Sequence, residues 1–140
     1  MSEAGKIRVL VVDDERDFAT AIAERLVRRG FGATAVFSAA EALTHLGSSP
    51  ADVVVLDLKM PGMDGLAALR EIRALDPGVQ VVVLTGHGTV ASGITGMQEG
   101  AADFLQKPIT IEVLCTAIAA AAERSRSARS ASGPDEGGDA

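Results

Sequence analysis

Two hydrophobic patterns alternate along the chain. "IRVLVVD" (7–13) is a continuous β-rich apolar run, as in a strand covered on both faces. From Glu15 the period lengthens. Phe18, Ile22 and Leu26 recur at four-residue steps with charges between them, and Gly30 stops the predicted helix. "GATAVF" (32–37) reads as a short strand, and 39–47 as a helix carrying Ala42, Leu43 and Leu46. "DVVVLD" (52–57) is a second fully apolar strand that ends in a carboxylate. Leu66, Leu69 and Ile72 mark a third helix, broken at Pro77-Gly78, and "VQVVVLT" (79–85) is the fourth strand. A weak helix follows over 89–99, then a strand at "ADFLQ" (102–106). Thr110 caps a last helix whose apolar stripe is Ile111, Leu114, Ile118 and Ala121.

Strand and helix alternate five times. Right-handed crossovers of this kind build an α/β fold, a five-stranded parallel sheet doubly wound with helices on both faces. With 140 residues the chain suits one domain. From about Ser125, "SRSARSASGPDEGGDA" has no periodicity and reads as a disordered polar tail, leaving 5–124 as the folded domain.

Composition removes several functions. The longest apolar runs are far below a membrane span and no secretory leader is visible, so a cytoplasmic protein with no membrane association is expected. The net charge is −6, and from Arg124 to the end three Arg offset three acids, so the deficit lies in the folded part. Neither a basic patch nor a Trp or Tyr platform is present, which argues against direct nucleic-acid binding. Cys115 is the single cysteine and sits on an apolar helical stripe, the place of a buried inert thiol.

The chemistry gathers where strands end. In an open parallel sheet, ligands bind outside the carboxyl ends of the strands. The first strand ends in Asp13-Asp14, the third in Asp57 and the fourth in Thr85-Gly86, while the fifth is followed by Lys107-Pro108. Singly, each has a plain structural role: helix capping for the acid pair, turn formation for Asp57, a solvated charge for Lys107. Together, three carboxylates held close repel, and a hard divalent cation relieves that cost. Oxygen ligands with room for a phosphoryl group favour Mg²⁺. Lys107 and Thr85 supply an ammonium and a hydroxyl for phosphoryl oxygens.

"VLVVDDE", "DVVVLDLKMPGMDG", "VVVLTGHG" and "GAADFLQKP" together closely resemble the receiver domains of two-component response regulators, over about residues 5–124. The resemblance implies a flavodoxin-like (βα)5 fold with strand order 2-1-3-4-5. It implies that Asp57 is the phosphoacceptor and that Asp14, Asp57 and the carbonyl of Lys59 bind Mg²⁺, with Asp13 acting through water. It also implies that Thr85 and Lys107 hold the phosphoryl oxygens, helped by the N–H groups of Lys59 and Gly86, and that Lys107-Pro108 is cis. Phe104, three residues before Lys107, falls at the position of a switch aromatic, and Lys59 and His87 at positions that tune the lifetime of the phosphorylated state. The implied donor is a sensor histidine kinase or phosphotransfer protein, and the implied output is contact with a downstream protein. Such proteins are classed as signalling proteins rather than enzymes. The pattern fits a stand-alone regulator of the chemotaxis type. A receiver from a longer transcriptional regulator or hybrid kinase remains the alternative, as does dimerisation on phosphorylation.

Two rivals share the fold class. A phosphohydrolase of the haloacid-dehalogenase type needs a second Asp two residues after its nucleophile, where this chain has Lys59. A flavin binder needs a Ser/Thr/Gly-rich phosphate loop after the first strand, where this chain has "DDERD".

Overall fold

The computed structural model describes residues 6–60, 63–86 and 90–131. Strands β1 (Arg8–Val12), β2 (Gly32–Val36) and β3 (Val53–Leu56) are joined by helices α1 (Arg16–Arg28) and α2 (Ala39–Ser48). A two-stranded hairpin, β4 (Lys59–Met60) and β5 (Met63–Asp64), precedes α3 (Gly65–Leu75). Then come β6 (Gln80–Thr85), α4 (Val90–Gln98), β7 (Asp103–Gln106) and α5 (Ile111–Ala131).

The main sheet is parallel throughout, in the order β2-β1-β3-β6-β7. Apart from the hairpin, which adds two labels, this is the expected 2-1-3-4-5 order of a flavodoxin-like fold. The reversal of strand order between β1 and β3 is the topological feature that opens a crevice at the strand ends.

Strict alternation explains why the apolar runs are continuous. Val9, Val11, Val53, Val55, Val82 and Leu84 face one layer, where Ile22 and Leu26 of α1 and Leu114 and Ile118 of α5 cover them. Leu10, Val12, Val54, Leu56, Val81 and Val83 face the other, against Leu46 of α2 and Leu69 and Ile72 of α3. Each fully buried Leu or Ile contributes about 1.5–3 kcal/mol relative to exposure.

Local signals set the helix ends. Gly30 takes a φ of 93° after α1, a conformation that glycine adopts without a Cβ clash. Ser38 Oγ accepts from the Glu41 N–H at the start of α2 (3.1 Å), and Thr110 Oγ1 accepts from the Val113 N–H at the start of α5 (3.2 Å).

The structure corrects the expected tail. Helix α5 continues through Ala131, seven residues beyond Arg124. Ser125 is buried, and Arg126 and Arg129 anchor the extension to the N-terminal ends of the strands through the carbonyls of Lys6 and Ala51. Ala and Arg are strong helix formers, and bonds to residues distant in the sequence supply what the missing apolar stripe does not. Residues 132–140, the rest of that tail, lie outside the described residues, as does Thr89 at the expected start of α4.

Candidate functional site

The side chains singled out at the strand ends meet at one rim of the sheet. The ladders continue one residue beyond the strands and carry them there. Asp13 N–H donates to Val36 O (3.2 Å), Asp57 N–H to Val12 O (3.0 Å) and Lys107 N–H to Thr85 O (3.0 Å). Asp13, Asp57 and Lys107 therefore have backbones as fixed as the strands they follow.

Asp13, Asp14 and Asp57 each offer a carboxylate oxygen within 4.8 Å of the others. Among the described residues this is the one such group of potential ligands. Asp13 and Asp57 are buried and Asp14 is the most accessible. The donor set is all oxygen, which suits a hard divalent cation and not a soft one.

Asp57 is held from two sides. Thr85 Oγ1, fully buried, donates to Asp57 Oδ1 at 2.7 Å, and the Lys59 N–H approaches the same oxygen at 3.3 Å. Lys107 Nζ bonds Asp13 Oδ2 (2.8 Å) and Glu15 Oε1 (2.9 Å), and sits 4.2 Å from the centre of the Phe18 ring. Burial alone would lower the Lys107 pKa, but the bonds to Asp13 and Glu15 outweigh it and raise it above the usual lysine value. The ammonium is therefore fully charged at neutral pH. Burial pushes the Asp13 carboxyl up, against the bonds from Lys107 and the Glu15 N–H that pull it down, and the nearby Asp57 charge adds to the rise. Gathering acids here is costly until a cation joins them. The Lys107-Pro108 peptide is cis.

Phe104 is half-buried beside the core layer of α2 and α3. A Cβ built at Gly93 or Gly96 of α4 would lie 3.5 Å from its ring, so the two glycines form the surface on which the ring rests. Lys59 is exposed in the hairpin opposite Asp64. His87 lies outside the described residues.

Two residues belong with this site that the pattern alone does not single out. Glu15 pairs with Lys107, and its only signal is its place after Asp13-Asp14. Gly65 opens α3, where any Cβ would collide with the backbone of Leu58. The collapse of the hairpin onto Leu58 depends on that glycine, and its signal is the second Gly of "PGMDG".

A family model for the response regulator receiver domain matches residues 9–119. The chain belongs to the response regulator receiver family. It is 40% identical over 118 residues to the C4-dicarboxylate transport transcriptional regulatory protein DctD of Rhizobium meliloti (strain 1021), covering 84% of this chain and 26% of DctD. The chain thus spans about a quarter of the length of that relative. A response regulator receiver domain protein from Clostridium thermocellum superimposes with a TM-score of 0.80 at 36% identity, covering 86% of this chain and 97% of that one. A response regulator from Burkholderia pseudomallei, solved with a phosphorylated aspartic acid, a calcium ion and citrate, gives a TM-score of 0.77 at 27% identity, covering 89% of this chain and 73% of that one. Among the described residues of this receiver, no helix is long and apolar enough to cross a membrane.

Proposed function

We propose that this receiver takes a phosphoryl group onto Asp57 from the phosphohistidine of a sensor kinase or phosphotransfer protein, in a Mg²⁺-dependent reaction, and signals through protein contact. The observation that carries the proposal is the meeting of Asp13, Asp14 and Asp57 beside a charged lysine and a buried threonine hydroxyl. The Burkholderia protein, with a phosphorylated aspartate and a calcium ion, supports the same chemistry for this fold.

In the proposed reaction an Asp57 oxygen attacks phosphorus in line, the P–N bond to the donor imidazole breaks, and an acyl phosphate forms. The carboxylates of Asp14 and Asp57 and the carbonyl of Lys59 would hold the cation, with Asp13 acting through a water. When bound, Mg²⁺ offsets negative charge on the transferring group. The Thr85 hydroxyl, which now orients the Asp57 carboxylate, would donate to a phosphoryl oxygen. Lys107 would balance the charge of another, and the N–H groups of Lys59 and Gly86 would complete the cradle. Phe104 would report the state by repacking on α4. Signal would leave to a partner protein or to a further domain, as the word "transcriptional" in DctD's name suits. A cytoplasmic setting fits a kinase-fed reaction.

Labelling with acetyl phosphate tests this reading. Intact mass should rise by one phosphoryl group only with Mg²⁺ or a similar ion, and Asp57→Ala should abolish the gain. A fully labelled Asp57→Ala protein would overturn the assignment, and turnover of small phosphoesters would favour a phosphohydrolase instead.

A further inference from the structure

The Lys107 ammonium has two carboxylate partners of unequal character. Asp13 is buried, with 3% of its side chain exposed, whereas the Glu15 side chain is 65% exposed. Asp13 is also fixed by the Glu15 N–H, which donates to its Oδ1 at 2.9 Å. The Phe18 ring closes a further side of the ammonium at 4.2 Å. Lysine has three N–H donors on a flexible stem. A phosphoryl group on Asp57 would compete for them, and the contact that yields at least cost is the one facing water. An exposed pair is screened and weak, whereas a buried pair is not.

We propose that Glu15 is a positioning residue for Lys107: it holds the ammonium on the solvent side of the acidic site, and this bond is exchanged for a phosphoryl oxygen when Asp57 is modified. The proposal rests on the reading of Asp57 as phosphoacceptor. Glu15 then regulates the same site, favouring the unmodified state by occupying the lysine that the modified state needs. Its own side chain makes no capping bond at the start of α1, so the exchange does not remove a cap from the helix.

The test is a double-mutant cycle on the full chain with Glu15→Gln, Lys107→Met and the pair. Mg²⁺-dependent phosphorylation is followed over a range of phosphoramidate and acetyl phosphate concentrations. Glu15→Gln should raise the maximal rate about two- to five-fold, the range of an exposed ion pair. The half-saturating donor concentration should stay nearly constant, and the gain should disappear in the Lys107→Met background. An equal gain with and without Lys107 would mean that Glu15 only repels anionic donors, and would overturn the proposal. So would an unchanged or lower maximal rate in Glu15→Gln. If the parent chain is labelled at Asp57, any such failure belongs to the positioning role alone. If the parent is not labelled, the phosphoacceptor reading falls and takes this proposal with it.

Discussion

Thr85 Oγ1 lies 2.7 Å from Asp57 Oδ1, and both side chains are buried. A hydroxyl at that distance fixes the rotation of the carboxylate before any donor arrives. A hydrogen bond to a charged group is worth about 1.5–3 kcal/mol. Thr85→Ala should therefore slow phosphorylation of Asp57 by about tenfold or more, and Thr85→Ser should keep most of the rate. Mg²⁺ affinity should change little in either, because Thr85 is outside the carboxylate group. Rates from intact mass, with a Mg²⁺ titration of unfolding, separate the two effects.

The second prediction concerns the lifetime of the phosphorylated state. Lys59 is exposed two residues after Asp57, and its backbone N–H already points at Asp57 Oδ1. A long cationic side chain there can lie over the phosphoryl oxygens and obstruct the attacking water. Lys59→Asn should speed dephosphorylation by up to about tenfold, or about 1.4 kcal/mol of barrier. Metal affinity should hold, since position 59 offers only its carbonyl. A decay rate equal to that of the parent would remove Lys59 from this role.

Asp57 and Lys107 were legible in the sequence because strand-end placement depends on period and order, which the chain displays plainly. The β4–β5 hairpin was not, since two paired residues on either side of Pro61-Gly62 in the sequence leave no alternation to read. The seven further residues of α5 escaped for a different reason. Arg126 and Arg129 are polar in sequence, and only the fold brings Asp52, Asp76 and two backbone carbonyls to them. Glu15 likewise looks like an ordinary first-turn acid until Lys107, far along the chain, arrives beside it. Glycine weakens a helix, yet in space Gly93 and Gly96 of α4 make room for Phe104.

The end of the sheet opposite the site carries its own charge cluster, and it predicts an acid limb. Asp52 is buried at the start of β3 and accepts from the Arg8 N–H (2.8 Å) and guanidinium (3.2 Å), with Arg126 at 3.6 Å. Burial pushes its pKa up, but the Arg8 bonds and the two guanidinium charges outweigh this and hold it below the usual 3.8. A depressed folded-state pKa gives stability that is present above the unfolded value and is lost as pH falls through the folded one. Asp52→Asn should therefore cost stability at neutral pH and flatten the loss below about pH 3.8. Arg8→Met should also destabilise, by about 1–3 kcal/mol, because it leaves the buried Asp52 charge with only a backbone N–H and the more distant Arg126 guanidinium. Urea unfolding at a series of pH values checks the sign, and a mutant curve parallel to the parent's would refute it.

The last prediction rests on Arg129. Its guanidinium straddles Asp76 with Nη2 at 2.9 Å from Oδ2 and Nη1 at 3.2 Å from Oδ1, while Nη2 also donates to Ala51 O at 2.8 Å. Its Nε reaches Ser125 Oγ, one helical turn back, at 3.3 Å. A forked pair with a backbone carbonyl in its grip exceeds an ordinary surface bridge, though partial exposure limits it to about 1–2 kcal/mol. Removing residues 125–140 should cost that and the buried Ser125 as well, lowering the thermal midpoint by several degrees in a domain of this size. Removing only 132–140, which supply neither this clamp nor apolar side chains of any size, should leave the midpoint in place. Arg129→Met should reproduce most of the larger loss. None of the three changes should slow labelling at Asp57, because the clamp holds the N-terminal ends of the strands and the acids lie at their C-terminal ends. A shorter truncation that costs as much as the longer one would move the anchor beyond Ala131.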